Sequence, residues 1–150
     1  MNRVWFFAIV LLLSAACAGG PPAPAAFNPA GDACATCRMR VVNQVLAAQI
    51  VAPGEDPLFF DDIGCLVEYI SRHTRMPAGS MAYVVDHQTG AWIPAATARY
   101  TRNLSLATPM NSHLIAHESL ATQQADPAAR DGVRLTAKEL IALDMPDGTR

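Results

Sequence analysis

Ile63, Leu66, Val67 and Ile70 recur at i, i+3, i+4 and i+7 directly after Asp61-Asp62, and this stretch constrains the fold more than any other. The spacing lines one face of an α-helix with apolar side chains, and an aspartate just ahead of it can accept from the free amides of the first turn. The helix has to run out before Pro77. Upstream, Val41 to Val51 carries β-branched residues at both ends and no breaker until Pro53, which predicts a strand. Pro53 to Pro57 is dense turn chemistry, and Leu58-Phe59-Phe60 returns as the partner strand of a hairpin. Downstream, Met81 to Asp86, Ala91 to Pro94 and Ala98 to Leu104 read as short strands, the first two joined by a Gln88-Thr89-Gly90 turn. Thr108 to His117 fits either class, Ser119 to Ala129 favours a helix, and Thr136 with Glu139 three residues on forms a capping box that opens a last short helix. The fold class is α+β, a small single domain of two β-hairpin-plus-helix halves.

The amino end sets the compartment. Arg3, an apolar run from Val4 to Leu13 and the small residues Ala15-Ala16 make a secretory signal, shorter than the ~20 apolar residues that a membrane span requires. Leu13-Ser14-Ala15-Ala16-Cys17 resembles a bacterial lipobox, with Ser14 where leucine is usual; Ala16-Cys17-Ala18 is also a plain A-x-A cleavage site. Lipidation is favoured because it gives Cys17 a role. Residues 1–16 are then the signal peptide and 17–31 the lipidated Cys17 with a tether. Pro21, Pro22, Pro24 and Pro29 among Ala and Gly leave that tether extended, semi-rigid and unpacked. Residues 32–150 form the folded domain, periplasm-facing and held to a bacterial membrane, expected to be the outer one. The net charge of −2, with no basic cluster, excludes nucleic acid as a partner.

Within that domain the chemistry concentrates in Cys34-Ala35-Thr36-Cys37-Arg38-Met39. With Cys17 lipidated, Cys34, Cys37 and Cys65 remain, an odd number that a simple disulfide framework cannot use up. Structural zinc would want a second matched pair, and a thioredoxin-type motif should follow a strand and open a helix, whereas this one stands ahead of a strand. Met39 fits neither, but thiolate and thioether together suit Cu(I). In an oxidising compartment Cys34 and Cys37 should close to a disulfide when copper is absent. Cys65 lies in the first turn of the capped helix, off its apolar stripe, where it either reaches the metal or packs at the core edge. Asp61 and Asp62 are accounted for by capping and Asp86 by the turn after it. His73 and His87 read as solvated, and His117 as a weak candidate. The alternative function is a periplasmic thiol-disulfide oxidoreductase using Cys34 and Cys37.

Four segments, Cys34-x-x-Cys37-x-Met39, Phe60-Asp61-Asp62-Ile63-Gly64-Cys65-Leu66, Tyr83-Val84-Val85-Asp86 with Trp92-Ile93-Pro94-Ala95, and Thr108-Pro109-Met110, resemble in this order the NosL family. These are copper-chaperone lipoproteins that accompany nitrous oxide reductase. The resemblance implies a non-enzymatic, membrane-anchored carrier that binds Cu(I) and hands it to the maturation machinery of that reductase. It also implies a small α+β fold distantly like that of the organomercurial lyase, and a functional methionine at Met110. The Thr-Pro-Met-Asn-Ser-His run around it offers His113 as a further ligand. The candidate metal set is therefore Cys34, Cys37, Met39, Met110 and His113, with Cys65 as an additional ligand.

Overall fold

Residues 20–73 and 75–144 are described by a computed structural model; the signal segment and Cys17 lie outside the described residues. β1 (Ala48–Val51) and β2 (Leu58–Phe60) form the expected hairpin, and β3 (Met81–Val85) pairs along the other edge of β1. With β4 (Trp92–Pro94) they make a four-stranded antiparallel sheet in the order β2-β1-β3-β4. β5 (Arg99–Arg102) is the centre of a second sheet, flanked by β6 (Leu114–His117) and β7 (Val133–Thr136). α1 (Ile63–Arg72) follows β2, α2 (Leu120–Ala125) follows β6, and α3 (Ala137–Asp144) follows β7. The α+β class holds, with both predicted hairpins sharing the first sheet and β7, unread in the sequence, completing the second.

Local chemistry explains where the elements begin. Asp62 accepts from the Gly64 amide at 2.7 Å and so caps α1, whose Ile63, Leu66 and Val67 are buried in the main core with Phe60, Val84 and Ile93. Thr136 and Glu139 bond each other's amides, the capping box read from the sequence. The strand predicted over Val41–Val51 is corrected in its first part. Asn43 accepts from the Val45 amide at 3.2 Å and starts a 3-10 turn over Gln44–Leu46, so the ladder begins only at Ala48. Asparagine's side chain offered that backbone a local partner in place of a neighbouring strand.

The tether is also corrected. Residues 22–27 form no helix or strand, yet they pack: the Ala25 amide donates to Gln49 Oε1 at 2.7 Å, Gln49 Nε2 donates back to the Ala25 carbonyl, and Phe27 lies on Phe59. Composition predicted the extended form but could not foresee that a fully buried Gln49 would need that backbone as its partner.

The two sheets meet where the chain leaves β3. His87 N donates to the Ala116 carbonyl at 2.9 Å, and Asp86 Oδ2 accepts from the Glu118 amide at 2.7 Å. Beside this seam Asp126 Oδ2 lies 2.6 Å from His87 Nδ1 and 3.0 Å from His117 Nε2. His87 is therefore not a solvated turn residue, and His117 is a fully buried structural one. Burial acts to raise the Asp126 carboxyl, and its two imidazole partners with the Ala128 amide outweigh that and hold it below the ordinary range.

Candidate metal centre

The Cys34–Met39 loop is a tight closed turn. Cys34 N donates to the Met39 carbonyl at 2.8 Å, Arg38 N to the Cys34 carbonyl at 3.0 Å, and Ala33 bridges Arg40. Closure forces Arg38 into the left-handed region at φ 66°, a conformation that costs a non-glycine residue on the order of 1 kcal/mol or more. The turn is laid along β2, with Ala35 N donating to the Phe59 carbonyl, and is stitched to α1 by Thr36 Oγ1 donating to the Cys65 carbonyl at 2.8 Å. A loop at the start of the domain and the first turn of a helix are thereby pinned together.

The result is a cluster. The sulfurs of Cys34, Cys37 and Cys65 and one oxygen of Asp61 all lie within 4.8 Å of one another. Two sulfurs bound to one ion stand at most ~4.6 Å apart if a metal–thiolate bond is ~2.3 Å, so one ion can be shared with little movement. All three cysteines are free thiols; Cys34, Cys65 and Asp61 are buried and Cys37 is half-buried. Cys65 is thus resolved between its two readings, buried and yet facing the other sulfurs. Asp61 is the residue the sequence reading missed. Only one of two adjacent aspartates can cap a helix, and Asp61, left over at the end of β2, accepts from Cys37 Sγ at 3.4 and 3.5 Å.

The three thiols differ in acidity. The neighbouring Cys65 thiol is the main influence that pulls the Cys34 thiol down to about 6, against its burial and with help from the Cys37 amide. Its closeness to Cys34 pushes the Cys65 thiol far up, and burial adds to it. Burial foremost raises Cys37 to about 11. Of the three, Cys34 is the one whose thiol is made more acidic.

The two methionines are tied to the same elements through their backbones, and their side chains are exposed. Met39 is 46% and Met110 44% exposed. Met39 closes the loop through its carbonyl, and the Met110 amide donates at 2.9 Å to Asp62, the aspartate that caps the helix carrying Cys65. The segment around Met110 lies so close to that helix start that a Cβ on Gly64 would stand 2.7 Å from Ser112 Cβ, which explains the glycine between Asp62 and Cys65. His113 is not a member of the cluster. Its Nδ1 bonds the Leu106 carbonyl at 2.7 Å, leaving only Nε2 for any metal. His73 is exposed, as expected, and stacks on Tyr69.

The NosL family model matches residues 24–144, most of the chain and every segment that builds this cluster. The chain belongs to the NosL family. No curated protein and no solved structure matches it. In NosL terms, the Cys-x-x-Cys-x-Met loop and the Asp-Asp-Ile-Gly-Cys helix start, remote in sequence, are the two walls of one thiol site.

Proposed function

We propose that this NosL protein is an exported lipoprotein, anchored through Cys17, that carries Cu(I) toward assembly of the copper centre of nitrous oxide reductase. Family membership supports a copper-binding accessory role, and the meeting of three thiols at one point is the observation that carries the choice of a soft ion. Cys34, Cys37 and Cys65 supply the thiolates. Met39 and Met110 supply thioethers at the exposed edge, which bind without releasing a proton and exchange more readily than thiolate. Asp61, a hard oxygen donor, serves as hydrogen-bond partner to Cys37 rather than as a ligand for a soft ion.

The oxidoreductase reading is weaker on physical grounds. An attacking thiol needs low pKa and access together, whereas here the low-pKa sulfur, Cys34, is fully buried and the half-exposed Cys37 is raised. Anaerobic titration of the reduced protein against a Cu(I) chelator tests the proposal. One Cu(I) per chain should be held, and Cys34→Ser with Cys37→Ser should lose it. Equal competition by that double variant would overturn the assignment, and turnover of a disulfide substrate would favour the enzyme.

A further inference from the structure

Phe59, Gln49 and Tyr83 stand opposite one another on β2, β1 and β3, so their side chains form one row on one face of the sheet. Residues 22–27 cross that row. Phe27 meets Phe59 with ring centroids 6.1 Å apart, Ala25 exchanges two hydrogen bonds with the Gln49 amide, and the Tyr83 hydroxyl donates to the Pro22 carbonyl. Gln49 is fully buried, and a buried amide left without partners is destabilising, so the crossing segment is part of the fold. It then runs through a turn, in which Asp32 N donates to the Asn28 carbonyl, straight into the cysteine loop.

From this we infer that residues 22–27 act as a strap that holds the thiol site close above the lipid surface. The inference rests on the lipidation of Cys17 proposed above. Were the folded body to begin at Cys34, seventeen residues past the anchor, the leash would reach ~60 Å when fully extended. Because packing begins at Pro22, five residues past the anchor, the leash reaches at most ~18 Å, whatever path residues 17–21 take. The threefold difference decides who can reach the site. With the strap seated, a donor or acceptor of the metal has to work beside the bilayer, and the partner this geometry fits directly is the lipid surface itself.

The mature chain carries its own reporter. Once Trp5 is removed with the signal, Trp92 is the remaining tryptophan; it sits opposite Val85 on β4, ~8 Å from Tyr83 by sheet spacings, near the point where the leash leaves the sheet. The experiment measures energy transfer from Trp92 to dansyl-phosphatidylethanolamine, using the full lipidated protein in phosphatidylethanolamine/phosphatidylglycerol vesicles. A Gly/Ser spacer placed between Gly20 and Pro21, outside every contact above, should lower transfer at least twofold. Gln49→Leu with Phe27→Ala should do the same by unseating the strap, and the Ala25 amide should be protected from hydrogen exchange in the parent and not in that variant. Unchanged transfer in the spacer protein, or a fast-exchanging Ala25 amide in the parent, would overturn the strap while leaving the anchor intact. A protein that stays off the vesicles and carries no lipid mass would overturn the anchor, and the inference with it.

Discussion

At the residue scale the site turns on how three thiols share protons. Cys34 is ionised above about 6, while Cys37 keeps its proton to about 11 and Cys65 beyond that. The signs oppose one another. A depressed Cys34 adds stability to the reduced apo fold as pH rises from about 6 toward 9.0, and a raised Cys37 removes it as pH rises from 9.0 toward about 11. Binding Cu(I) as thiolates expels the protons of Cys37 and Cys65, so affinity should climb with pH by about tenfold per unit for each proton displaced. The climb should steepen below about 6, where Cys34 has a proton to lose as well. Chelator competition across a pH series reads this directly, and a flat profile would mean that thioethers alone hold the ion. Cys34 and Cys37 were legible in the sequence because thiols at that spacing have few other uses. Asp61 was not, because its neighbour Asp62 offers the same side chain, and the capping rule does not say which of the two turns away.

At the element scale α1 ties the centre together. Asp62, fully buried, accepts from the Gly64 amide with one oxygen and from the Met110 amide with the other, so one carboxylate caps the helix and holds the methionine segment. Asp62→Ala should cost about 2–3 kcal/mol, a lost cap plus an amide left without its partner. Asp62→Asn keeps one acceptor and should cost about half as much. Urea unfolding of the reduced apo protein measures both; equal, small losses would show that the Met110 segment is held by something else. The periodic pattern located α1 and the β1–β2 hairpin because each is specified by its own residues. The 3-10 turn at Gln44–Leu46, β7 and the seam of Asp126 with His87 and His117 are set by partners far along the chain, which periodicity does not register.

At the scale of the whole molecule, the thiol centre is a junction rather than a loop. The amino-terminal strap, the cysteine turn, the end of β2 and the start of α1 converge on it, and the Met110 segment closes in from the region ahead of β6. That arrangement puts two sulfurs on a short loop and the third on a helix fixed by the core, with Thr36 stitching the loop to the helix beside the sulfurs. Cu(I) held by the proposed carrier should sit between these walls on sulfur alone. Copper K-edge X-ray absorption of the reduced, Cu(I)-loaded protein tests it most directly. The first shell should be sulfur only, losing one scatterer in Cys65→Ser and unchanged in His113→Ala; an imidazole nitrogen in that shell, or a Cys65→Ser spectrum identical to the parent, would rule this arrangement out.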